Sequence, residues 1–207
     1  MGEKMGQVIY KHLEEQASLY LFNIVLLVMG IIFGTLTIHS LGYAQQHDLF
    51  TYFQQFLEAL SQDSPSDPKA MLIHHIIEDV KYVGIIWLLG LSIIGLPIIL
   101  VMVFLKGVFV GFTVGFLVHQ MGMRGFWLAL FTVIPQNMIM VPVILLISVS
   151  SVTFSIKLAG HLFSRARAYQ KLSLAKYVGL FTIAFLAVVI VAFFQTYLAP
   201  PLMKMIL

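Results

Sequence analysis

The sequence contains no cysteine. Disulfides, thiolate metal centres and cysteine nucleophiles are thereby excluded together. Charge is scarce as well: Asp, Glu, Lys and Arg make up 10% of the 207 residues, against roughly 25% in an average soluble domain. The scarcity is uneven, because all nine acids lie at or before Asp79 and none follows. The formal charge of +3 does not read as a nucleic-acid surface. Basic residues sit mostly at the ends of apolar runs, and Lys157, Arg165, Arg167, Lys171 and Lys176 share one segment, the pattern of a short cytoplasmic loop. Nucleophile-elbow, phosphate-loop and metalloprotease patterns are missing too, so neither an enzyme nor a bound cofactor is expected.

What the chain has in abundance is apolar surface, with 60% hydrophobic residues and a mean hydropathy of +0.97. Such a composition predicts an all-α polytopic membrane protein, with residues 1–207 as a single membrane domain. Residues 1–19 suit a short helix on the membrane surface. Residues 20–43 enclose an uncharged run between tyrosines, too long for a secretory signal and without a small-residue cleavage site, and read as a retained first crossing. A second crossing is expected over 82–105, closed by Lys106 and kinked at Pro97. Residues 107–121 are apolar but would reach only about 22 Å as a helix, so this segment is either a short crossing or re-entrant. Residues 126–156 carry no charge and include Pro135 and Pro142, which predicts a proline-broken helix. A last crossing spans 177–197.

Between the first two crossings, residues 42–80 hold six acids and a single lysine, Lys69. Leu49, Phe50, Phe53, Phe56, Leu57 and Leu60 recur at helical spacing, which predicts a helical outer loop with one apolar stripe, and Phe53, Phe56, Leu57 and Leu60 as its partner-docking residues. Pro65 and Pro68 break that helix. A second short one follows, with Ile73, Ile76, Ile77 and Val80 on one face. Five crossings with a cytoplasmic N-terminus place Lys4, Lys11, Lys106 and the basic segment inside, and the acidic loop outside.

Three constellations stand out. Gly30 with Gly34, and Gly107 with Gly111 and Gly115, form ladders of four-residue spacing that allow helix backbones to approach closely. Packing within the chain is the first reading and self-association the second. Pro135, Gln136, Asn137 and Pro142 put two amides beside two prolines, either as a structural break or as a polar site of the kind found in transporters. His74 with Glu78 and His75 with Asp79 are four apart, a spacing more common on solvated helix faces than at metals, and no metal site is expected. No Asp, Glu, Lys or Arg falls inside any predicted crossing, which argues against proton or ion paths.

Several stretches look familiar beyond their physics. Residues 82–97 (YVGIIWLLGLSIIGLP), 106–118 (KGVFVGFTVGFLV), Gly125-Phe126 and Pro135-Gln136-Asn137 resemble the stage II sporulation protein M family of endospore-forming bacteria. So do Tyr20-Leu21-Phe22, the MGIIFG run at 29–34, and the YLAP at 197–200. Related bacterial proteins carry a Pro-His-Gly-x-x-Glu-Leu-Pro stretch where this chain has 135–142, and here Gln136, Asn137 and Met140 replace its histidine, glycine and glutamate. The resemblance implies a noncatalytic scaffold of the septal membrane during forespore engulfment. It also implies two partners, stage II sporulation protein P, an amidase/endopeptidase, and stage II sporulation protein D, a lytic transglycosylase. A transporter component with its polar site at Gln136 and Asn137 is the alternative.

Overall fold

A computed structural model describes residues 16–61, 68–163, 174–199 and 201–202. Among these residues all regular structure is helical. The elements are α1 (Ala17–Ser40), α2 (Tyr43–Ser61), α3 (Pro68–Gly90), α4 (Gly95–Met121), α5 (Met123–Leu128), a π-helical turn at Ala129–Val133, α6 (Ile134–Phe163), α7 (Leu174–Phe193) and a second π-helical turn at Phe194–Leu198.

Four stretches are long and apolar enough to cross a membrane: Ala17–Ser40, Gly95–Met121, Met123–Gly160 and Tyr177–Leu198. The geometry requires a fifth pass. Leu27, Ile31 and Thr35 of α1 lie against Gly107, Gly111 and Gly115 of α4 in that order, so the two helices run parallel. The chain must therefore return between them. α3 makes that return, antiparallel to α4, since Tyr82 meets Met102 and Leu89 meets Gly95. α6 runs antiparallel to α1, with Ser148 on Asn23 and Thr153 on Gln16. α7 runs antiparallel to α6, its Tyr177 meeting Ser151 and Phe154. Five alternating passes result, as expected from the sequence.

Two boundaries differ from the sequence reading. The expected second crossing over 82–105 is interrupted: α3 ends at Gly90 and a turn through Leu91–Ile94 leads into α4. A Cβ at Gly95 would run into the Leu89 carbonyl group, so the turn closes tightly only around glycine. Pro97 opens α4 rather than kinking it, in the first turn, where its missing N–H costs nothing. Residues 107–121 are accordingly the second half of a full-length 27-residue helix, neither short nor re-entrant. The second helix expected inside the loop is the first half of α3.

The proline-rich pass is continuous and locally rewound. A π turn at Ala129–Val133 precedes Pro135, and α6 continues through Pro142. Widening the helix upstream of a proline accommodates the ring and the lost N–H without a break. In both π turns a buried threonine hydroxyl donates to the carbonyl four residues back, Thr132 to Leu128 and Thr196 to Ala192.

α6 forms the centre of the bundle. Ile144, Ile147, Val149 and Val152 are buried against α1, α3 and α7. Lipid is as apolar as these side chains, so burial alone does not order the helices, and fit and interhelical hydrogen bonds must. A buried serine face on α6 supplies them: Ser148 donates to Asn23 Oδ1 of α1 (2.7 Å), Ser151 pairs with Tyr177 of α7 (2.8 Å), and Ser155 donates to the Ser92 carbonyl (2.9 Å). The Tyr177 hydroxyl donates in turn to the Trp87 carbonyl, and its ring stacks on both Trp87 and Phe154. α6 is thus pinned to α1, α7 and the 91–94 turn by three small polar contacts.

Candidate functional site

The redrawn boundaries move charge into the bundle. Lys106 stands eleven residues after Gly95 and fifteen before Met121, inside α4. Asp79 stands eleven residues before Gly90, inside α3. At 1.5 Å per residue both lie about 16 Å from the Gly90–Gly95 turn, near the middle of a ~30 Å hydrocarbon layer. The expectation that no ionisable residue lies inside a crossing is therefore wrong. It failed because the apolar turn at 91–94 does not register in hydropathy.

Three passes converge on this level. Gln195 of the second π turn donates from Nε2 to Asp79 Oδ2 at 3.2 Å. Lys106 Nζ sits over the Tyr82 ring, 5.7 Å from its centroid, and the Tyr82 hydroxyl donates to the Met102 carbonyl. Asp79 and Lys106 are half-buried. Opposite charges at one depth, with an amide and an aromatic face as further partners, offset part of the cost of holding either in a membrane. Such a cluster can lock helices in order or exchange a proton or small cation.

The expected site residues fall in three places. Gly30, Gly34, Gly107 and Gly111 form the α1–α4 seam, where a Cβ at any of them would meet backbone of the other helix, and Gly115 faces Thr35 and Ile38. Thr35 reaches across this seam to the Gly111 carbonyl at 3.1 Å. Pro135, Gln136, Asn137 and Pro142 lie in the opening turns of α6. Asn137 donates to the Val133 carbonyl of the π turn, and its Oδ1 is buried without a hydrogen-bond partner. In the outer helix α2, Phe53 is half-buried and meets Phe116 of α4 edge-on, with centroids 6.2 Å apart. Phe53 therefore ties α2 to the bundle, whereas Tyr43 and Tyr52 are exposed. The side chains of Phe56, Leu57 and Leu60 lie outside the described residues.

His74 pairs with Glu78 at 3.2 Å on an exposed face. Among the described residues no group of three His, Asp or Glu side chains gathers as a metal would require. The sequence reading missed the Asp79–Lys106–Gln195 cluster and the serine face. Lys106 as the sole charge between Gly95 and His119 was the available sign of the first, and the run SVSSVTFS at 148–155 of the second.

These features define a polytopic helical membrane protein with an intramembrane charge cluster and an outer helix docked on one end. The family model for stage II sporulation protein M matches residues 23–200, and the chain belongs to that family. It matches none of the curated proteins and none of the solved structures with which it was compared. Family membership makes it a sporulation membrane protein.

Proposed function

We propose that the chain is a noncatalytic scaffold of the septal membrane that recruits peptidoglycan hydrolases during forespore engulfment. Its partners in this reading are stage II sporulation proteins P and D, and its N-terminus is cytoplasmic. The observation that carries the reading is membership of the sporulation family over nearly the whole chain. The layout is compatible with it: α2 sits at the end of the bundle opposite Gln16 and Thr153, and exposes Tyr43 and Tyr52 to a partner. The basic segment around Lys157 then faces the cytoplasm.

Co-purification of the two hydrolases with a Tyr43→Ser/Tyr52→Ser variant, alongside a Phe56→Ser/Leu57→Ser variant, tests the reading. Hydrolase capture should fall while membrane insertion persists. Undiminished capture by both would remove α2 as the docking element, and failure of the unaltered chain to capture either hydrolase would remove the scaffold role.

One observation favours a second reading, transport. Asp79 with its Gln195 partner and Lys106 over the Tyr82 ring stand on facing helices about halfway along them, where charges commonly mark ion or proton paths. Reconstituted vesicles loaded with a pH-sensitive dye decide it: flux abolished by Asp79→Asn supports transport, and tight vesicles exclude it.

A further inference from the structure

α3 carries charge on two faces. Asp79 points into the bundle toward Gln195, but His74, Glu78 and Lys81 form an outward stripe that continues downward with Ile85 and Leu88. The side chains of His74 and Glu78 are 68% and 62% exposed. Glu78 lies twelve residues above Gly90 and Lys81 nine, about 18 Å and 13 Å from the turn that marks one end of the bundle. Both levels fall within a hydrocarbon layer of ~30 Å. A lysine side chain reaches about 6 Å toward an interface, which is half of what Lys81 would need, and a glutamate reaches less. Lipid is therefore an unsuitable neighbour for the middle of this face, although it suits Ile85 and Leu88 below. Glu78 leans on His74, and among the described residues no carboxylate lies within ion-pair distance of Lys81.

We propose that this face is the contact with a second copy of the same chain. The reason for a second copy is the charge order. Two copies inserted in the same direction pair about a two-fold axis along the membrane normal, which sets α3 parallel to its counterpart. Glu78 and Lys81 share a face three residues apart, an offset of about 4.5 Å that these side chains span. Glu78 of each copy then meets Lys81 of the other, twice per dimer, and the charges that lipid would reject neutralise one another. Ile85, four residues below Lys81 on the same face, lies close to the axis.

The absence of native cysteine makes the test direct. Ile85→Cys in the full-length chain, oxidised in native membranes, should give a disulfide-linked dimer, and Ile98→Cys on the exposed side of α4 should not. In the Ile85→Cys background, Glu78→Lys and Lys81→Glu should each lose the dimer through like-charge repulsion. Co-expression of these two variants under different tags should restore it, as a mixed dimer, because one chain then offers two lysines and the other two acids. Rescue by mixing cannot come from pairing within one chain. A monomeric Ile85→Cys product, a cross-link to a different protein, or charge variants that dimerise as well as the parent would each overturn the proposal.

Discussion

A single methyl group placed in the α1–α4 seam tests the packing that holds the parallel helices together. A Cβ at Gly111 would overlap the Ile31 carbonyl oxygen and approach the Ile31 carbonyl carbon to 2.7 Å and its Cα to 2.8 Å, where ordinary contact begins at 3.4 Å. These obstacles are backbone atoms, which cannot swing aside as a side chain would. The helices must part by about 1 Å, a displacement that forfeits much of the local dispersion and stretches the 3.1 Å bond from Thr35 to the Gly111 carbonyl. Overpacking of this kind costs about 1–3 kcal/mol and a lost interhelical hydrogen bond about 0.6 kcal/mol.

Gly84 supplies the control, because a Cβ there meets nothing within 4 Å. Both substitutions gain the same helix propensity, so the difference between Gly111→Ala and Gly84→Ala isolates the seam at about 2–3 kcal/mol. For a chain of this size the gap corresponds to roughly 5–10 °C in the midpoint of thermal unfolding. Scanning fluorimetry in one detergent, using the intrinsic Trp and Tyr signal, measures it. Equal midpoints for the two variants would refute close backbone packing at this seam.

The contact between Asn23 and Ser148 should show coupling in a double-mutant cycle of Asn23→Ala and Ser148→Ala. About 0.6–1.7 kcal/mol is expected for a buried interhelical hydrogen bond, read from the same unfolding midpoints. At the charged cluster, Asp79→Leu and Lys106→Leu should each lower the yield of monodisperse protein, because each leaves a half-buried charge of the other sign without its counter-charge. The double Asp79→Leu/Lys106→Leu variant should recover much of that yield by size-exclusion chromatography, and a double variant worse than either single one would mean that the two charges do not compensate each other.

Hydropathy made the membrane class legible, with the passes at α1, α5–α6 and α7, but it misdrew the second and third, and small-residue spacing located Gly30, Gly34, Gly107 and Gly111. The turn at 91–94 was hidden for a physical reason. A turn at the edge of a bilayer made of Leu, Ser, Ile and Ile is as apolar as the helices on either side, and its flanking glycines and Pro97 were the only marks of it. The serine face of α6 was hidden for a related one. Serine is too small and too mildly polar to interrupt an apolar run, yet in a bundle where lipid competes with every apolar contact its hydroxyls decide which helices are neighbours.

The misplaced turn also concealed the meaning of the charges. With a crossing drawn at 82–105, Asp79 and Lys106 stand at its edges and look like ordinary interfacial residues. With α3 at 68–90 and α4 at 95–121, the same two residues occupy the interior. A helix with a single lipid-facing side needs its charges on the opposite side only, where Asp79 meets Gln195. α3 has charges on both sides, and its outward stripe includes Glu78 and Lys81 at membrane depth. A helix with polar groups on two faces is stable there only if both faces meet polar neighbours, and the bundle covers just one of them. On the proposal made above, the second of these faces is covered by α3 of another copy of the chain.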